Sequence, residues 1–199
     1  MKKSLIVVVA VVAIIVGIVG WGISVRNSLV VYEESVSESW AQVENVYKRR
    51  SDLIKEVVST VQGAGNYEKG TLTEVIEARA KAGSVQIDAN NLTPENLAQF
   101  QKAQDNLSGA FSRSINVVVE RYPELTATQG FRDLQTQIEG CENRISTERG
   151  RFNEKVASFN KKLRVFPNNI IGAICGFQPK GYFKAPEGSD EAVDINFNF

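Results

Sequence analysis

LIVVVAVVAIIVGIVGWGISV, residues 5–25, holds no charged side chain. Its 21 residues, wound as a helix at about 1.5 Å per residue, reach about 31 Å, the thickness of a bilayer's hydrocarbon core. The run predicts a transmembrane helix. A cleavable signal peptide has an apolar stretch of only about 7–15 residues and a small-x-small cleavage site, which Gly22-Ile23-Ser24 imitates poorly. Met1, Lys2 and Lys3 precede the run, whereas Arg26 and then Glu33 and Glu34 follow it. By the positive-inside rule residues 1–4 are expected in the cytoplasm and the rest of a single-pass chain across the membrane. Trp21 and Tyr32 flank the exit, where amphipathic rings suit the headgroup level.

Within this segment Ala10, Ala13, Gly17, Gly20 and Ser24 recur at steps of three and four, stacking the small side chains on one face. Such a face lets a second membrane helix approach closely, so it is the expected packing surface for self-association.

Beyond the anchor the same spacing continues with larger side chains. Leu29, Tyr32, Val36, Trp40, Val43, Tyr47, Ile54, Val57 and Val61 form an apolar stripe with Arg50 at its one polar step. No Pro or Gly interrupts residues 24–62, so the bundle's first helix is predicted to continue unbroken from the membrane until Gly63-Ala64-Gly65-Asn66 ends it. A second helix is expected over residues 67–85 through Leu72, Val75, Ile76, Arg79 and Ala82, and residues 88–92 read as a loop. Thr93-Pro94-Glu95 supplies an N-cap, a first-turn proline and a first-turn acid. The third helix carries Leu97, Phe100, Gln104, Leu107, Phe111, Ile115, Val118 and Tyr122, and Pro123 closes it. A fourth begins near Thr128 with Phe131, Leu134, Ile138, Cys141, Ile145, Phe152, Val156, Phe159 and Leu163, again with one polar step, Arg149, before Pro167.

These patterns predict an all-α chain. Residues 5–25 are the transmembrane helix, residues 26–166 an up-and-down antiparallel four-helix bundle, and residues 167–199 an irregular or β-like tail without helical period. Phe177, Tyr182 and Phe183 are expected to pack on the bundle, on headgroups or on a second subunit, because exposed aromatics in such number seldom stay solvated. Ile195, Phe197 and Phe199 alternate with polar residues, as in a strand that lacks a partner or a terminus that frays.

Composition narrows the chemistry. Histidine is absent, which removes imidazole bases, His-centred triads and His metal ligands. Lys+Arg and Asp+Glu both number 23, so no overall field recruits nucleic acid. No nucleophile–base pair, metal set or cofactor motif is present, and the chain is read as a non-enzyme. Cys141 lies on the core stripe as a small apolar filler, and a bond to Cys175 would require the tail to double back along the fourth helix. The two stripe arginines, Arg50 and Arg149, need carboxylate or carbonyl partners if buried. Asp52, Glu56, Glu120 and Glu142 are the carboxylates expected to supply them, in an ion-pair layer that fixes helix register, with an anion or peptide site as the alternative.

Eight ordered blocks resemble the LemA family: Arg49-Arg50-Ser51-Asp52-Leu53-Ile54, Gly63 with Glu68-Lys69, Ala78-Arg79-Ala80, Tyr122-Pro123-Glu124-Leu125, Glu142-Asn143-Arg144-Ile145, Arg149-x-x-Phe152-Asn153, Phe159-Asn160 and Phe166-Pro167. The likeness spans residues 32–183 and departs from the family pattern at Lys55-Glu56, where Pro-Asn is usual, and at Tyr67, where His is common. It implies a bacterial single-pass membrane protein with a four-helix bundle, and an address rather than a reaction; with the orientation read from the charges, the expected address is the cell's inner membrane. The expected partners are the bilayer, further copies of the chain in a homo-oligomeric scaffold, or another envelope protein bound by a bundle groove or the terminal strand.

Overall fold

The computed structural model describes residues 2–63 and 70–185. Among the described residues every regular element is helical: α1 (Lys2–Gly63), α2 (Gly70–Ser84), α3 (Pro94–Arg121), α4 (Pro123–Thr126), α5 (Gln129–Arg164) and α6 (Asn168–Ile174), with one 3-10 turn at Ala89–Asn91.

α1 runs unbroken for 62 residues, about 93 Å at helical rise. Its environment changes part-way along. Every side chain from Leu5 to Trp21 is exposed, and among the described residues this one stretch is long and apolar enough to cross a membrane. From Leu29 onward the stripe turns inward, and Leu29, Val36, Trp40, Val43, Tyr47, Ile54, Val57 and Val61 are all buried.

The burial is shared with α5, which lies antiparallel along α1: Trp40 meets Phe152 at 5.6 Å between ring centroids, and the Cys141 thiol reaches the Val46 carbonyl at 3.4 Å. α3 runs parallel to α1, with Phe100 against Trp40 and Tyr47 at 5.2 and 5.1 Å. α2 packs antiparallel on α3, where Glu74 pairs with Arg113, and it touches α1 through Arg79 Nε, which donates to the Ser51 carbonyl at 3.0 Å.

Local signals explain most boundaries. Thr93 Oγ1 accepts the Asn96 N–H at 3.2 Å with Pro94 in the first turn, and Thr128 Oγ1 accepts the Phe131 N–H at the start of α5. Lys161, Lys162 and Arg164 complement the carbonyl end of α5.

Of the second helix, expected from Tyr67, the described part runs from Gly70, and Tyr67 itself lies outside the described residues. Two expectations need correction. Pro123 not only ends α3 but opens the four-residue α4, because its fixed φ suits a first helical turn as well as it blocks a last one. Residues 167–199 are not free of helix, since Asn168–Ile174 form α6. Seven residues are too few to display a 3.6-residue period, and tertiary packing selects the helix. Gly172 sits so close to α5 that a Cβ there would overlap Leu163 Cδ1, and Ile171 Cδ1 lies 3.5 Å from where a Gly22 Cβ would stand. Gly176 at φ +78° then closes α6, with the Phe177 N–H on the Gly172 carbonyl and the Gly176 N–H on that of Ala173, the paired bonds of a Schellman end.

Candidate functional site: a guanidinium layer and a tail clasp

The two stripe arginines come to different ends. Arg50 is 2% exposed and its guanidinium is divided between α3 and α5. Nη1 donates to Ser108 Oγ at 2.6 Å and to Glu142 Oε1 at 3.1 Å, while Nη2 donates to Gln104 Oε1 at 2.6 Å and to the Gln104 carbonyl at 3.2 Å. Nε has no hydrogen-bond partner among the described residues, and the group lies 5.0 Å from the Tyr47 ring centroid. Of the carboxylates expected around it, only Glu142 arrives. Asp52 faces Arg79 across 4.0 Å, and Glu56 and Glu120 are exposed. Gln104 and Ser108 fill the remaining places, because α3 runs parallel to α1 and brings its polar steps to the same level.

Arg149 is half-buried and serves the tail instead. Its Nη2 donates to the Lys184 carbonyl at 2.7 Å and its guanidinium lies 4.8 Å from the Phe183 ring centroid. Phe183 is inserted among Trp40, Phe100 and Phe152, with ring separations of 6.2, 6.4 and 5.4 Å. Phe177 packs on Phe159 at 6.3 Å, and Tyr182 stays exposed with its hydroxyl accepting from Asn160. Ile195, Phe197 and Phe199 lie outside the described residues.

What holds this segment is a set of three carboxamides that the stripe pattern did not single out. Asn160 accepts the Lys180 N–H at 2.9 Å and donates to the Lys180 carbonyl at 2.9 Å. Asn153 does the same for Phe183, at 2.9 Å both ways, and Gln101 for Lys184, at 3.1 and 3.0 Å. Each amide satisfies one residue's N–H and C=O together, as a neighbouring strand would. The Gly181 N–H adds a bond to the Leu92 carbonyl at 2.9 Å, and a Cβ on Gly181 would come within 2.8 Å of Pro94 Cα, so only glycine allows this approach. Lys180, 6% exposed, ties the tail to α1 through Glu33 at 2.7 Å and to the Asn90 carbonyl at 3.2 Å. The visible signal is the pair Phe152-Asn153 and Phe159-Asn160, seven residues apart, which sends Phe into the core and Asn to its rim.

The remaining chemistry is sparse. A groove of about 410 Å³ opens between α1, α3 and the end of α2, lined by Glu44, Tyr47, Ser51, Val85, Phe100 and Gln104. Burial pushes the Glu44 carboxyl and the Tyr47 phenol above their ordinary values, and for Tyr47 Arg149 and Arg50 oppose the shift. Burial, aided by Glu142, pushes the Cys141 thiol up, so it is a poor nucleophile, and both cysteines are free. Among the described residues no group of three His, Cys, Asp or Glu is placed to hold a metal. Along the anchor, Ala10, Ala13, Gly17, Gly20 and Ser24 are exposed, and a Cβ at Gly17 or Gly20 would meet nothing within 4 Å.

Comparison with known proteins gives the setting. Protein LemA of Metamycoplasma hominis is 25% identical over 171 residues, which cover 86% of this chain and 73% of that protein. Magnetosome protein MamQ of Magnetospirillum gryphiswaldense is 24% identical over 152 residues, 75% of this chain and 52% of its own length. Magnetosome protein MamQ 2 of Paramagnetospirillum magneticum is 26% identical over 95 residues, 46% and 35% respectively. The chain thus spans about half or less of these two MamQ proteins. Its apolar N-terminal helix marks it as membrane-associated. The LemA family model matches residues 39–197, four-fifths of the sequence, and the chain belongs to the LemA family.

Proposed function

We propose that this protein is a membrane-anchored scaffold that self-associates into a homo-oligomer in the bacterial envelope, with residues 1–4 cytoplasmic, residues 5–25 across the inner membrane and α1, α2, α3 and α5 forming an up-and-down four-helix bundle outside. One observation carries the reading. The small-residue face of α1 is open along its length, on the same unbroken helix whose other end is the core of the folded part. A helix–helix contact made in the membrane is therefore transmitted rigidly to the bundle, with no hinge to absorb it. The pair directions of α1 with α5, α1 with α3 and α2 with α3 are those an up-and-down bundle requires. A non-enzymatic role fits a sequence without histidine and a thiol held protonated by burial.

The test is the mass of the full-length chain extracted in mild detergent. Self-association predicts a particle of several chains that falls apart when Gly17 and Gly20 are both replaced by Leu. A monomeric wild type would overturn the scaffold. A second reading, an adaptor for another envelope protein, draws on the groove beside Tyr47 and Phe100. It predicts paired recovery of one heterologous protein, lost on deleting residues 195–199 or on filling the groove by Gly83→Trp, Gly83 lining it from the end of α2.

A further inference from the structure

α6 and the turn before it present apolar side chains that nothing among the described residues covers. Phe166 and Ile174 are each 76% exposed, more than any described large apolar side chain of the anchor itself, and Val165 and Ile170 are half exposed beside them. Four such groups within ten residues would be an anomaly in water.

Their level along α1 supplies the reason. Ile171 packs on Gly22, which precedes Val25, the last residue of the uncharged run, by three positions or about 4.5 Å of helix. Gly172 packs beneath Leu29 and Leu163 just outside that limit. α6 thus straddles the end of the hydrocarbon span, the headgroup–acyl boundary where interfacial helices lie. Trp21, adjacent to Gly22, belongs to the same level, where indole rings favour the boundary between acyl chains and headgroups. The charges agree. Arg26, Lys161, Lys162 and Arg164 lie within the two helical turns that flank this level, and of the acids nearby Glu33 is already engaged by Lys180.

We infer that α6 and the residues 165–167 turn form a second membrane contact, seated in the headgroup–acyl boundary of the leaflet where α1 emerges, with anionic headgroups at the α5 terminus. The contact rests on the reading of residues 5–25 as a membrane span. It fixes the bundle at two points rather than one, so the bundle keeps a set tilt and rotation over the membrane instead of swinging about a single helix. The tail clasp extends this restraint, because α6 is joined through Phe177 and Lys180 to α5 and α1.

The test uses the full-length chain in vesicles of phosphatidylcholine with a minority of phosphatidylglycerol. A nitroxide is placed by Phe166→Cys or Ile174→Cys in a Cys175→Ser background, Cys141 being buried. Labels at Val19→Cys in the anchor and Lys155→Cys on exposed α5 serve as references. Collision with oxygen, which concentrates in the acyl region, is compared with collision by a water-soluble nickel chelate. Both α6 labels are expected to favour oxygen several-fold, on the Val19 side of the scale. If they match Lys155 while Val19 remains in hydrocarbon, α6 is aqueous and the inference is overturned with the anchor intact. If Val19 is itself aqueous, the span fails and takes the inference with it. Labels shielded from both reagents, with spin–spin broadening lost on dilution by unlabelled chain, would show that a second copy covers α6, which also overturns it.

Discussion

The Arg50 layer and the Arg149 clasp start from the same pattern, a guanidinium at the polar step of an apolar stripe, and finish in different solvents. Arg50 is closed over by three helices and spends four donor contacts on α3 and α5. Arg149 faces the outside of α5 and is covered only because residues 177–185 fold back across it. A polar step therefore marks where a stripe has company, without saying whether the company is a helix core or a tail. Placement is decided by what crosses the helix at that level.

The comparison is broken most forcefully on the clasp side, through its apolar plug. Phe183→Ala removes a ring set among Trp40, Phe100 and Phe152, and a buried Phe→Ala truncation costs about 3–5 kcal/mol. The expected result is that loss in urea unfolding of the detergent-solubilised chain, together with protease cleavage between residues 176 and 185. A loss below about 1 kcal/mol would mean that the tail is a surface strap and not part of the core.

Arg50→Ala comes next. It strands the Gln104 side chain and leaves Glu142 unpaired, but Glu142 is 45% exposed and can be rehydrated, so about 2–3 kcal/mol is expected rather than the upper range for buried pairs. Arg50→Met should recover part of the loss, since apolar replacement of a buried ion pair is often tolerated. If Met instead changes the oligomer or the helix pairing at unchanged stability, the layer sets register and not strength. Arg149→Ala should cost under about 1 kcal/mol, because its hydrogen bond and ring contact are half exposed and Asn153, Gln101 and Asn160 continue to hold the tail.

How much of this was legible follows from the same contrast. The apolar N-terminal stretch, the unbroken α1, the Thr93 and Thr128 caps and most of the buried stripes rest on local rules of length, capping and period and stand where the residues placed them, whereas Tyr32 and Ile76, both on those stripes, are exposed. Arg50 as a buried group was readable from its stripe, and Glu142 from the list of nearby acids. Gln104 is on the α3 stripe, and an up-and-down bundle already makes α1 and α3 parallel, yet its role as an Arg50 acceptor depends on the axial level at which α3 sits against α1, which no local pattern encodes. α6 was invisible because its helix is held by Gly22, Leu29 and Leu163, all distant in sequence. The clasp is hard to read for a subtler reason: a charge on an apolar stripe advertises its need for a partner, whereas the tail is held by neutral amides that imitate a strand.

Alkaline titration sharpens the comparison from the Arg50 side, where two acids border the layer with values raised by burial. Cys141 and Tyr47 each bind their proton more tightly folded than unfolded. For such a group the stabilising contribution is complete below the unfolded value and is lost as pH rises through the folded one. Stability should therefore begin to fall above about pH 8.5, the ordinary thiol value, and fall more steeply above about pH 10, where an unfolded phenol ionises. Cys141→Ala should flatten the first limb and leave the second, and Tyr47→Phe should do the reverse. The thiol reagent Ellman's disulfide should meanwhile react with exposed Cys175 in the folded chain and reach Cys141 only as the Arg50 region opens. Equal rates at the two thiols at neutral pH would mean that α1 and α5 part around Arg50 while the clasp holds, reversing the order in which the two regions yield.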